Sequence, residues 1–129
     1  MSITAAHLIL YVADQRRSAT FYTAVLDRAP RLDVSGMTEL ELEGGAVLGL
    51  MPESGIKRLL GPALPDPARA AGTPRAELYL VVDDPAAFHE RALRCGATEL
   101  SALAARDWGH EVAYSLDPDG HVLAFARAL

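Results

Sequence analysis

Two segments of this chain, HLILYVAD at 7–14 and ELYLVVDD at 77–84, carry one pattern. Laid over one another, Leu8, Leu10, Val12 and Asp14 fall on Leu78, Leu80, Val82 and Asp84, and His7 falls on Glu77. The closing stretches match as well, GAVLGL at 45–50 aligning with GHVLAF at 120–125. Agreement at both ends, at nearly the same offset, is hard to obtain from two unrelated βα units. The chain is therefore read as one supersecondary unit written twice. Its 129 residues suffice for one domain with a real core and not for two ordinary ones, so the copies are halves of a single domain spanning 1–129.

In the first half, residues 7–13 are rich in β-branched and aromatic types and predict a strand. Asp14 offers an N-cap, and RRSATFYTAVLD (16–27) pairs Phe21 with Val25 and Tyr22 with Leu26 at i, i+4 spacing, an amphipathic helix ended by Ala29-Pro30. RLDV is a short strand. MTELELE alternates strictly and puts Leu40 and Leu42 on the core side. Gly44-Gly45 predicts a two-residue hairpin turn, from which AVLGLM returns.

The second half repeats the order. Residues 77–82 are a strand, Asp84-Pro85 an N-cap with proline at the first helical position, AAFHERALRCG a helix with Gly96 just past its end. TELSAL, HEVAYSL and HVLAFA are strands, with DPDG a plain turn. Each half reads βαβββ: module 1 is 1–51, module 2 is 76–129. Residues 52–75 hold five prolines and three glycines, which excludes a long helix or central strand. They are expected to form an irregular bridge with a helical turn at 56–60, placed to lid a site.

Strand side chains alternate. Leu8, Leu10, Val12, Leu78, Leu80 and Val82, with Leu48, Leu50, Leu123 and Phe125, should pack on the helices. The opposite face then carries His7, Ile9, Tyr11, Glu39, Glu41, Val47, Gly49 and Met51 in one half. In the other it carries Glu77, Tyr79, Val81, Val122, Ala124, Ala126 and, by the same parity, Glu111, Ala113 and Ser115. A face mixing His, Glu and Tyr with apolar groups is expected to line a partly covered trough; the bland reading is a solvated sheet face.

The bulk numbers narrow the choice. The net charge is −5, which argues against phosphate-backbone binding and hence nucleic acid. The apolar run HLILYV is too short to span a membrane. The lone Cys95 cannot make an internal disulfide and reads as a buried or partly buried filler; with no secretory signal in view, a reducing cytoplasm is expected.

The paired βαβββ pattern, with His7 seven residues before the capping Asp14, Phe21-Tyr22 in the first helix, Trp108-Gly109 and DPDG, resembles the vicinal oxygen chelate superfamily of glyoxalases, bleomycin-resistance proteins and extradiol dioxygenases. The likeness covers nearly the whole chain. It implies an α+β fold in which two βαβββ modules form a cup-shaped, eight-stranded mixed sheet, and in many members a homodimer with sites built from both chains. It also implies two metal ligands per module, one at the head of the first strand and one on the last. Those positions are His7 and Gly49 in module 1, Glu77 and Ala124 in module 2. Glycine and alanine offer no side-chain donor, so a divalent metal would keep two protein ligands where catalytic zinc sites have about three and an iron facial triad needs two His and a carboxylate. Glu39, Glu41 and Glu111 are the neighbours that could substitute.

Two functions follow from the resemblance. The first is a metal-free small-molecule binder of the bleomycin-resistance type, with no cofactor. Its ligand, cationic and antibiotic-like, would lie in a trough lined by Tyr11, Glu39, Glu41, Gly49, Met51, Tyr79, Trp108, Glu111 and Ala124, the acids supplying negative potential and the rings stacking surfaces. The second is a metal-dependent lyase, isomerase or dioxygenase, with a metal-free variant using His7 and Glu77 as an acid–base pair; the same two residues also read as a structural ion pair. A partner-binding or orphan member whose trough has no small ligand is the third, blander option. Trp108 equally reads as a plug in a dimer junction. His121, after a turn, is expected to be exposed, His89 to face solvent, and His110 to edge the trough.

Overall fold

The computed structural model describes all of residues 1–129 and divides them into two units, Met1–Ala71 and Gly72–Leu129. In the first, β1 (Ala6–Val12), α1 (Gln15–Leu26), β2 (Leu32–Val34), β3 (Met37–Glu41) and β4 (Ala46–Pro52) are followed by α2 (Glu53–Leu60) and two short 3-10 turns. The strands form a mixed sheet in the order β1-β4-β3-β2, with β1 parallel to β4 and the other pairs antiparallel. Asp14 caps α1 as its residue type predicts, its carboxylate accepting from Arg17 N at 3.0 Å. Phe21, Tyr22, Val25 and Leu26 on one stripe of α1 are buried, as are Leu10, Val12, Leu40, Leu48 and Leu50 of the sheet. α1 packs on β3 and β4. Leu8, expected in the core, remains exposed.

The Gly44-Gly45 turn is a short 3-10 turn with both glycines at positive φ, closed by Leu42 N donating to Ala46 O at 2.8 Å. The expected turn at 56–60 is the end of a longer helix. The helix starts at Glu53, directly after Pro52, and buries Glu53 and Ile56.

The second unit contains β5 (Glu77–Val81), α3 (Pro85–Arg94), β6 (Thr98–Ala105), β7 (His110–Leu116) and β8 (Val122–Ala128). Its sheet order, β5-β8-β7-β6, reproduces the first, again with one parallel pair. Asp84 caps α3 through Ala87 N. α3 lies on β6, β7 and β8, with Phe88 and Phe125 rings 5.2 Å apart. Burying a side chain of that size contributes roughly 1.5–3 kcal/mol. The repeat holds at the level of register: β1 and β4 pair His7 with Val47 and Ile9 with Gly49, while β5 and β8 pair Glu77 with Val122 and Tyr79 with Ala124.

Three expectations fail in this unit. His89 is buried and faces Glu99 at 2.9 Å instead of solvent, because α3 lies against β6 along that side. His121 is buried, for reasons developed below. Cys95, at the end of α3, is exposed, since the chain turns away there at Gly96. No helix in the chain is long and apolar enough to cross a membrane.

Candidate functional site

Residues paired directly across a sheet share a face. In the first unit the register therefore gathers His7, Ile9, Tyr11, Glu39, Glu41, Val47, Gly49 and Met51 on the side away from α1, as expected. The acids there are already engaged. His7 Nδ1 lies 3.5 Å from Glu39 Oε2. Arg31 donates through Nε to the other Glu39 oxygen at 2.9 Å and reaches Glu41 at 3.4 Å. The hydrogen bond to Glu39 raises the Arg31 guanidinium above its ordinary value; desolvation opposes this, and Glu41 reinforces it. Sequence reasoning missed Arg31. Its signal was positional, since it precedes a strand whose partner presents Glu39 and Glu41, and opposite charges on neighbouring strands pair.

Gly49 is not an open cradle. A Cβ there would stand 3.0 Å from Ile9 Cγ1 and 3.3 Å from Met37 Sδ. Side chains of the same face already close over this position.

In the second unit, β7 pairs with β8 as Glu111 to Arg127, Val112 to Ala126, Ala113 to Phe125, Tyr114 to Ala124 and Ser115 to Leu123. Glu111, Ala113 and Ser115 thus lie on the helix side, opposite to the expectation, and Glu111 forms an ion pair with Arg127. The parity was set the wrong way round because the register of β7 against β8, which pairs Ala113 with Phe125 and Ser115 with Leu123, cannot be read from β7 alone. The larger Val112 and Tyr114 face away from α3.

That other face has a definite construction. Val112, Ala124 and Ala126 form a buried apolar floor with Tyr79 and Tyr114 packed against it. Ala124, one of the four ligand positions that the resemblance implies, pairs with Tyr79 on one side and Tyr114 on the other. Trp108 Nε1 donates to the Tyr79 hydroxyl oxygen at 3.0 Å, and the same hydroxyl lies 2.5 Å from His110 Nδ1. An indole N–H can only donate, so the Tyr79 hydroxyl oxygen is the acceptor from Trp108. The Tyr79 and His110 rings stack at 5.8 Å.

Arg106 lies 5.1 Å above the centre of the Tyr114 ring. It is fixed there by Ser101 Oγ at 2.8 Å and Val112 O at 2.9 Å. Burial pushes the Tyr114 phenol up from its ordinary value, the Glu77 charge pushes the same way, Arg106 opposes, and Tyr79 adds to the rise. Glu77 therefore lies within electrostatic reach of Tyr114. Trp108 remains 56% exposed despite its hydrogen bond.

Two of the four implied ligand positions carry no donor atom. His7 lies in the first unit against Glu39, which Arg31 also holds; Gly49 is covered; Ala124 is buried between tyrosines. Nowhere does the chain gather three or more His, Cys, Asp or Glu side chains positioned to hold an ion.

Comparison with known proteins agrees with the fold. Solved structures similar to this chain include a glyoxalase-related enzyme from Fulvimarina pelagi, at 24% identity and TM-score 0.80 over 96% of this chain and 87% of that one. A glyoxalase/bleomycin resistance protein/dioxygenase from Nocardioides is similar at 21% identity and TM-score 0.78, covering 100% and 85%. A family enzyme from Burkholderia phytofirmans PsJN follows at 18% and 0.78, covering 95% and 97%. At these identities the likeness establishes the fold. No curated protein matches significantly. The family model for a glyoxalase-like domain matches residues 7–126. With two mixed βαβββ sheets in the same register and this match over nearly its whole length, the chain belongs to the glyoxalase-like domain family of the vicinal oxygen chelate superfamily.

Proposed function

We propose that this protein binds a small molecule with a planar, cationic group on the face of its second sheet turned away from α3, without a metal. The observation that carries this reading is Trp108. It is a large ring left mostly exposed, yet fixed in orientation by its hydrogen bond to Tyr79. An immobilised aromatic surface beside a second ring offers stacking area at little entropic cost. Cation preference rests on Glu77 alone, because Glu39 and Glu41 share Arg31 and Glu111 is matched by Arg127. A cation over a tyrosine or tryptophan face is stabilised by roughly 0.5–2 kcal/mol.

Trp108 is the only tryptophan, so its fluorescence reports this face and no other. Titration with planar cationic compounds, planar neutral analogues and non-planar cations should quench it in that order of affinity. Followed by thermal shift, Trp108→Ala should weaken the planar cations by roughly 2- to 30-fold, the range expected for one cation–π or stacking contact. Glu77→Gln should weaken cations and leave neutral analogues unchanged. A ligand held equally by wild type and Trp108→Ala would refute the assignment. A second copy of the chain is the competing cover for Trp108; concentration-dependent fluorescence without ligand would identify it.

A further inference from the structure

One cation of the second unit is held without a counter-charge. The Arg106 guanidinium is fixed by neutral oxygens: Nη2 donates to Ser101 Oγ at 2.8 Å, to Val112 O at 2.9 Å and more weakly to Ala102 O at 3.4 Å. Nη1 makes none of these bonds, and Nε is buried without a hydrogen-bond partner. Other arginines of the chain are matched by carboxylates, Arg28 by Glu43, Arg31 by Glu39 and Glu41, Arg94 by Glu90 and Arg127 by Glu111. Arg106 is half-buried, where an unmatched charge is costly to keep. A guanidinium offers five N–H donors in a fixed plane, so this one retains hydrogens for an acceptor from outside.

Register places this cation on the face that carries Tyr79 and Tyr114. Ser101 pairs with Tyr114, Tyr114 with Ala124, and Ala124 with Tyr79, so one row crosses all four strands on one face. Arg106 lies over the Tyr114 ring and on Ser101 in that row. Glu77 precedes Tyr79 by two residues on β5 and therefore shares its face. Burial raises the Tyr114 phenol, the Glu77 charge raises it further and the Arg106 charge lowers it, so both charges act on this ring. An acid on β5 and a base over β7 are separated by two strand spacings, about 10 Å. The tyrosine rings lie between them.

We infer that the ligand of this face is amphoteric, an aromatic ring with a cationic group directed to Glu77 and a carboxylate directed to Arg106. The inference rests on the ring-binding role proposed above and adds the anionic end to it. A molecule with only a positive charge is attracted by Glu77 and repelled by Arg106; one with only a negative charge meets the reverse. A molecule carrying both, spaced by about one ring, is favoured at each end. The carboxylate supplies Arg106 with a charge-assisted hydrogen bond, the stronger kind, and the ring between the charges has Tyr79 and Trp108 to stack on.

Calorimetric titration of the intact protein with three probes built on one ring tests this: 4-guanidinobenzoate, its methyl ester and benzoate. Wild type should bind the amphoteric acid roughly tenfold more tightly than the ester, the scale of one hydrogen bond between charged groups. Arg106→Gln should bind acid and ester alike, and Arg106→Lys should keep part of the preference. Glu77→Gln should weaken the ester and leave benzoate no weaker. An ester held as tightly as the acid by wild type, with Trp108→Ala weakening both, would overturn the inference and leave the proposed function standing. Benzoate binding lost in Arg106→Gln but untouched by Trp108→Ala would support the Arg106 end and refute the stacking surface. No binding of any probe would overturn both. Should Arg106→Gln fail to fold, the comparison of acid with ester on wild type decides alone.

Discussion

Replacing Asp117 with alanine is expected to lower the unfolding free energy by about 3–5 kcal/mol. The carboxylate is fully buried and serves three donors: the backbone N–H groups of Asp119 and His121 and the His121 ring. Alanine removes every acceptor and leaves these donors where water cannot reach them. Each such loss costs about 1–3 kcal/mol before relaxation. Asparagine retains one oxygen for the two backbone donors, so Asp117→Asn should cost about half as much or less. Denaturant unfolding of the three proteins measures this directly, as shifts in midpoint at constant slope. A midpoint for Asp117→Ala close to wild type would mean that the turn is as passive as its DPDG sequence suggests.

Gly120→Ala should destabilise by about 3 kcal/mol, from two sources. The residue has φ +85°, where an L side chain costs roughly 1–2 kcal/mol. The added methyl would also meet Gly72 carbonyl carbon and oxygen at 2.9 Å. These are backbone atoms that no rotamer change can move, and overpacking of this kind costs about 1–3 kcal/mol. In a domain of this length the melting temperature should fall by roughly 10 °C. Gly44→Ala is the matched control: its φ is +75°, and nothing lies within 4 Å of the added methyl. It should cost the same roughly 1–2 kcal/mol of backbone strain, so the difference between the two variants isolates the contact with residue 72.

Much of the fold was legible because it depends on local pattern. The match of His7 through Asp14 to Glu77 through Asp84 predicted two equivalent sheets, and the observed registers agree residue for residue. Asp14 and Asp84 cap their helices because a carboxylate at that position has only local N–H groups to reach. What failed was governed by partners distant in sequence. His121 looked exposed because it follows a turn; Arg75, a residue 46 positions earlier, takes its outer nitrogen. Glu111 was assigned to the wrong face because parity along β7 was carried over without its register to β8, whereas that register pairs it with Arg127 on the α3 side. The acidic character expected of the first sheet was misjudged for the same reason: Arg31 sits on Glu39 and Glu41. The absence of donor atoms at positions 49 and 124 could be read directly; that Ile9 and Met37 close one and two tyrosines flank the other could not.

The central proposal is that this member of the family, with packing groups at two of the four implied ligand positions, Gly49 and Ala124, grips a molecule by its rings. Calorimetric titration of the metal-stripped protein with zinc, nickel, manganese and ferrous iron tests it most directly. The account predicts no stoichiometric binding in the micromolar range or tighter for any of them. One ion held tightly per chain, and lost when His7→Ala and Glu77→Gln are combined, would contradict it.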